Sequence, residues 1–292
     1  MKAAKADRHV IEIAKAKVLV EGGKVRVLDG PRIKRCPVHI LLSGAEEVTV
    51  ANVRRAVEFM IRDEGMFTPN RKVKSSDELV PFGASEILMS ALRHGVIECA
   101  VVACDCAGSV VTTKPEIVQG IGKRMTGLVE TSPISAVIRR LQLTGAVVLD
   151  PISATIDQTE AASLAFKRGY ERIAVTVTGS DADEIIALRK FERASGATIY
   201  LLAVHNSGIK RDAALLVARN ADLVWGCASR NVIKIAGKSA LMQIGIQIPV
   251  FSMTERGKEL ILSRVRDLND QLLIGREKLP KIMRGLHPKP LR

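Results

Sequence analysis

The spacing of hydrophobic and polar positions changes near residue 80. Before it, the run VIEIAKAKVLVEGGKVRVLDG alternates with period two on either side of Glu21-Gly22-Gly23-Lys24. Alternation places successive side chains on opposite faces of a strand, and paired glycines accept the left-handed backbone of a tight turn. A β-hairpin is therefore expected to open the fold, with its turn at the glycines. After RCPVH, Val50, Val53, Val57, Met60 and Ile61 recur at helical spacing over 49–63, and Gly65 supplies a stop. A polar stretch over 68–78 follows. The expected organisation is a hairpin-plus-helix region over 1–80 and an α/β domain over 81–292, with a soft boundary that lets the two form one unit.

Beyond residue 80, short apolar runs alternate with helical patterns. Strands are expected over 97–103, 146–149, 172–178, 198–204, 221–225 and 248–251. These runs of Val, Ile, Leu and Ala lack polar alternation, which fits a sheet covered on both faces. Helical stretches between them, such as 181–194 behind a Ser180…Asp183 capping-box spacing, complete strand-helix units. The fold class is α/β: a mostly parallel sheet with helices on both faces, preceded by the N-terminal hairpin and helix.

In an open parallel sheet, ligands bind beyond the carboxyl ends of the strands. Those ends carry Cys104-Asp105-Cys106-Ala107-Gly108-Ser109, Asp150-Pro151, Thr178-Gly179-Ser180-Asp181, His205-Asn206-Ser207-Gly208, Cys227-Ala228-Ser229-Arg230 and Ser252-Met253-Thr254. Turn and cap chemistry accounts for the glycines and serines. It accounts less well for Cys104, Asp105, His205, Cys227 and Arg230. Cys36, beside Arg35 and at a C-x-x-H spacing from His39, is a third thiol candidate, whereas Cys99 lies inside a strand and reads as a small hydrophobe. Spacing alone leaves two readings of the cysteines open, structural thiols or a shared metal site.

Composition narrows the classes. A chain of 292 residues, 47% hydrophobic, can bury a substantial core. The longest uncharged stretches, 194–209 and 239–254, are too short and too interrupted to span a bilayer, and the N-terminus lacks the apolar core of a secretory signal. Five cysteines in so long a chain do not make a disulfide framework. A cytoplasmic protein with reduced thiols is expected. The net charge of +13 is concentrated at the ends: 1–35 hold 10 basic and 4 acidic residues, 276–292 hold 6 basic and 1 acidic, and the middle carries only +2. With two Tyr, one Trp and six Phe, no basic groove interleaved with aromatics is present, so nucleic acid is not an expected partner. The basic ends are expected to be solvated or to meet an acidic protein.

The stretches RCPVH, GMFTPNRKV, PFGASEILMSALRHGVIECAVVACDCAGSVVT, PEIVQGIGKRMTGLVETSPI, DPISATIDQ and YERIAVTVTGSDADEI resemble the methanogenesis marker protein 8 family of archaeal proteins. The resemblance runs from Val10 to the last expected strand. It implies cysteines at the positions of Cys36, Cys104 and Cys227, a glycine where this chain has Cys106, an anaerobic cytoplasm, and a link to methyl-coenzyme M reductase. It implies no reaction. In an anaerobic cell three thiolates could hold an iron-sulfur cluster, or zinc with an open position. The first expectation is thus an accessory or maturation protein for methyl-coenzyme M reductase, with Cys36, Cys104 and Cys227 as metal ligands and Asp105 and Arg230 tuning them. The alternative is a metal-free enzyme that takes an anionic metabolite at the same rim. There Gly108, Ser109, Gly179, Ser180, Asn206 and Ser229 would bind the ligand, Cys104 would be the nucleophile, and Asp105 or His205 would move the proton.

Overall fold

The computed structural model describes residues 7–283, 285 and 287–291. The chain starts as a three-stranded antiparallel meander, β1 (Arg8–Ile13), β2 (Ala16–Glu21) and β3 (Lys24–Val27). The turn between β2 and β3 falls at Gly22-Gly23, both with left-handed backbone. The period-two run ahead of it is not one strand but two. They join at Ala14-Lys15, with φ of 52° and 67° and Ile13 paired to Ala16. Neither residue is a usual choice for such a turn. The sign in the sequence is a parity change, since the buried set moves from Ile11 and Ile13 to Ala16, Val18 and Val20.

Helices α1 (Pro37–Ser43) and α2 (Val50–Glu64) follow. The hydroxyl of Thr49 caps α2 by accepting from the Asn52 N–H, and Gly65 ends it in left-handed backbone. Gly65 is needed twice over, because a Cβ there would lie 2.4 Å from the Asn70 carbonyl oxygen. Of the positions read from spacing, Val53, Val57 and Met60 are buried, Ile61 is partly buried and Val50 in the first turn is 47% exposed; the three buried ones, with Ala56, pack against Ile11, Val18 and Val20 of the meander.

The second region begins with α3 (Ala84–Arg93) and a hairpin of β4 (Cys99–Cys104) and β5 (Gly108–Thr112). Then come α4 (Pro115–Gly122), β6 (Leu128–Glu130), α5 (Ser135–Leu143) and β7 (Val147–Val148). Three successive strand-helix units follow: α6 (Gln158–Lys167), β8 (Arg172–Thr178), α7 (Ala182–Ser195), β9 (Thr198–Val204), α8 (Arg211–Asn220) and β10 (Leu223–Trp225). The chain then forms α9 (Arg230–Ser239), β11 (Met242–Ile244), β12 (Val250–Ser252) and α10 (Glu255–Val265). The cap of α7 is Asp181, whose carboxylate accepts from the Glu184 N–H, rather than Ser180.

The eight-stranded sheet has the order β11-β12-β10-β9-β8-β4-β5-β7, with β4, β8, β9 and β10 parallel. Side chains alternate between two cores. Ala100, Val102, Ala174 and Leu202 pack on one face with Ile87, Ile117 and Leu260, while Val101, Val175, Leu201 and Val224 pack on the other with Ala161, Leu188 and Val232. Helices cover both faces, which is why these strands read as continuous apolar runs. The strand β12 runs antiparallel to β10, so Ser252-Met253-Thr254 lies at the rim opposite the other strand ends. There Thr254 donates to Asp222 at 2.6 Å, just ahead of β10. The N-terminal sheet takes its fourth strand, β6, from the later chain, in the order β3-β2-β1-β6.

Candidate functional site

The apolar stretch that ends in Cys104-Asp105-Cys106 is a hairpin whose turn residues are all buried. Gly108 closes it with φ 71°, and a Cβ there would meet the Ala154 and Thr155 carbonyls at 2.3 Å. The Asp105 carboxylate is fully buried and satisfied. It accepts from the Phe67 N–H at 2.7 Å, from Arg71 Nε at 2.8 Å and from the Cys106 thiol at 3.3 Å. Arg71, equally buried, also donates to the carbonyls of Ile121 and Lys72. Burial favours loss of the Arg71 charge, but Asp105 outweighs it and its pKa is raised. The Asp105 carbonyl accepts from Thr131, whose hydroxyl meets His9 Nδ1 at 2.7 Å. Burial, with the Asp105 charge adding to it, pushes the Cys104 thiol up to about 12. This turn ties the hairpin to the loop after α2 and to β1. Cys104 and Asp105 have no solvent-facing surface there. Ser109 is also buried, donating to Gln158 at 2.6 Å and accepting from the Asp157 N–H at 2.9 Å.

The rim where β8, β9 and β10 end is built differently. Asn206 is buried and bridges two strand ends, donating to the Ala203 and Trp225 carbonyls at 2.8 Å each, and its Oδ1 has no hydrogen-bond partner among the described residues. Gly179 leaves it room, because a Cβ there would lie 1.8 Å from that oxygen. Ser229 is buried and caps α9 by accepting from the Val232 N–H. Ser180 is exposed and shares a hydrogen bond with Thr178. Arg230, exposed in the first turn of α9, makes no ion pair among the described residues.

His205, with left-handed backbone at φ 55°, has both ring nitrogens engaged: Nε2 lies 2.6 Å from Glu12 Oε1 and Nδ1 lies 3.3 Å from the Thr126 hydroxyl. Lys15 donates to the same Glu12 oxygen at 2.6 Å. Burial alone would raise the Glu12 pKa, but the hydrogen bonds from His205 and Lys15 prevail and hold it near 2. The pair pins the Ala14-Lys15 turn to the rim of the large sheet. Beside it lies a cleft of about 350 Å³ whose polar wall is Lys15, Arg32, Lys210, Ser180 and Ser207. Arg32 is held against the turn by its N–H to the Ala14 carbonyl.

Of the three metal-ligand candidates, Cys36 lies near enough to Cys227 to bear on its thiol. Burial pushes the Cys227 thiol up to about 12, with backbone N–H groups of Asn206 and His205 opposing and Cys36 adding to the rise. Cys36 stands at the start of α1, and burial raises its thiol too, against hydrogen bonds from the His39 and Val38 backbone. His39 is buried, and neither ring nitrogen has a hydrogen-bond partner among the described residues. Among the described residues, no group of three or more His, Cys, Asp or Glu is placed to hold a metal ion. The described conformation thus does not fit a three-thiolate cluster.

Glu12, Lys15, Arg32, Arg71 and Lys210 were not among the sequence candidates. Lys15 could have been found from the parity change around it. Nothing local marks Arg71, which meets Asp105 across 34 residues.

Two comparisons place the chain. Residues 9–266 match the family described as "Uncharacterized protein conserved in archaea (DUF2099)". An uncharacterized protein of Methanocaldococcus jannaschii is 43% identical over 288 residues, covering 98% of this chain and 99% of its own length. With nearly the whole fold inside both matches, rim and buried turn included, the chain belongs to this conserved archaeal family.

Proposed function

We propose that the protein binds a small anionic metabolite in the cleft at the carboxyl ends of β8 and β9. The observation that carries this reading is the convergence of Lys15, Arg32 and Lys210 on one cleft at that rim. Cations gathered in a concave site raise the local concentration of anions and hold them by charge-assisted hydrogen bonds. Both nitrogens of His205 are already occupied, so its part is to position Lys15 through Glu12. The test is thermal unfolding of the full chain with phosphate, sulfate and short carboxylates. A ligand at a hundredfold excess over its Kd should stabilise by about 2.7 kcal/mol, and a Lys15→Ala, Arg32→Ala double variant should lose the effect. Equal shifts in wild type and double variant would remove the cleft from consideration.

A second reading keeps a specific observation of its own: the buried imidazole of His39, without a hydrogen-bond partner among the described residues, three residues after Cys36, whose charge bears on the Cys227 thiol. Two thiols and an imidazole are the kind of donors zinc or iron takes once the thiols lose their protons, but the described conformation does not gather the three, so metal binding would require them to move together. The likeness to the methanogenesis marker protein 8 family would then make the protein a cytoplasmic accessory or maturation factor for methyl-coenzyme M reductase. Metal content and the absorption spectrum of anaerobically purified protein decide it. Stoichiometric metal that disappears in Cys36→Ser and Cys227→Ser would support this reading, and metal-free wild type would end it.

A further inference from the structure

Resting on the anion-binding reading and narrowing it, we infer that the ligand is a phosphate monoester with a short aliphatic body. The charge at the cleft points to a dianion. Glu12 neutralises Lys15, whereas Arg32 and Lys210 form no ion pair among the described residues, which leaves two positive charges. A carboxylate would satisfy one of them, and a phosphate ester at neutral pH, with charge of roughly −1.5 to −2, matches both.

Helix α8 starts at the cleft. The helices α6, α7, α9 and α10 are each capped by their own Asp157, Asp181, Ser229 or Thr254 side chain. The ten-residue α8, like α1, α3, α4 and α5, has no side-chain cap; Lys210 stands at its cap position. Lys210 and Ala213 both line the cleft, so the start of α8 borders it beside Ser180 and Ser207. Asp212, in the same turn, is exposed and is not part of the wall. Phosphate has enough acceptor oxygens to engage Lys210, Ser180 and Ser207 at once.

The rest of the wall sets the body of the ligand. It is Ile209, Ala213 and Leu291, with no aromatic side chain for a base to stack on. A volume near 350 Å³ lies at the lower end of small-molecule sites, which span about 300–1,000 Å³. Leu291 comes from the far end of the chain. The C-terminal segment is held by the Met283 N–H on the Ile246 carbonyl at 3.0 Å, by Arg35 on the Gly285 carbonyl at 2.9 Å and by the Leu291 N–H on the Ala228 carbonyl at 3.3 Å. Its leucine reaches Gly208, where a Cβ would already be 3.3 Å away. Leu291 is thus part of the wall of the cleft and limits the length of the aliphatic part.

The experiment is calorimetric titration of the full chain with inorganic phosphate, n-butyl phosphate and butyrate, on wild type, Lys210→Glu and Leu291→Ala. Butyl phosphate should bind tightest and butyrate about tenfold or more weaker. Lys210→Glu should lose about tenfold for both phosphates. Leu291→Ala should weaken butyl phosphate by about fourfold per methylene left uncovered and leave inorganic phosphate unchanged. Butyrate binding as tightly as butyl phosphate would overturn the phosphate assignment while the anion-binding reading stands. If none of the three binds, both fall. An unchanged ratio of butyl to inorganic phosphate in Leu291→Ala would overturn the role of Leu291.

Discussion

The turn after β4 and the rim after β9 both carry polar groups at the ends of sheet strands, yet they differ in what those groups lack. At the turn, both oxygens of the Asp105 carboxylate are engaged, by Arg71, the Phe67 N–H and the Cys106 thiol. At the rim, Lys15 and His205 share Glu12, while Arg32 and Lys210 have no carboxylate among the described residues and open onto a cleft. A fully satisfied buried network holds elements together, and an unsatisfied set facing a cavity is available to a ligand. Reactive residue types therefore identify a site only once their partners are known.

The largest expected effect breaks the first half of that contrast. Arg71→Ala or Asp105→Ala leaves one buried charge without its partner and should cost about 3–5 kcal/mol in denaturant unfolding. The double variant Arg71→Met, Asp105→Leu should recover much of the loss. A loss below 1 kcal/mol in the single variants would mean the turn is not a structural tie.

Next in size is the pH dependence of Glu12. Its pKa in the folded chain, near 2, lies below the unfolded value of about 4.5. The stability it contributes is therefore present above pH 4.5 and is lost as pH falls from there toward 2. The shift corresponds to about 3 kcal/mol as an upper figure. Unfolding measured from pH 7 to 2 in wild type and Glu12→Gln should converge at the acid end, and parallel curves would exclude the pairing. A smaller effect separates stability from binding at the rim: Lys210→Glu should change stability by less than about 0.5 kcal/mol while weakening anion binding. The smallest is kinetic. Native-state alkylation followed by mass spectrometry should label the partly exposed Cys36 and Cys227 before the buried Cys104 and Cys99. Labelling should accelerate as pH rises toward the raised thiol pKa values. Early labelling of Cys104 would show that its turn opens.

Much of the fold was legible from periodicity. Strands β8 and β9 have the bounds expected for them, because continuous apolar runs between turn residues leave little choice of register. The buried face of α2 follows from Val53, Val57 and Met60, and its end from Gly65. The Ala14-Lys15 turn was hidden because its residues carry no turn signature, only a shift of parity. The direction of β12 was hidden because apolar runs do not record whether a strand is parallel. At the rim, sequence found the loops but not the cleft. Lys15, Arg32 and Lys210 come from three separate segments and look like ordinary surface cations until the fold brings them together.

The order of synthesis has its own consequence here. The outer edge of β1 is covered by β6, which lies about a hundred residues beyond the end of β3. At ribosomal rates of about 5–20 residues per second, the nascent meander waits roughly 5–20 s with an unpaired edge before its last strand emerges. During that interval β1, which carries Val10, Ile11 and Ile13, is the segment most open to pairing with a neighbouring chain, and the most direct client for a chaperone.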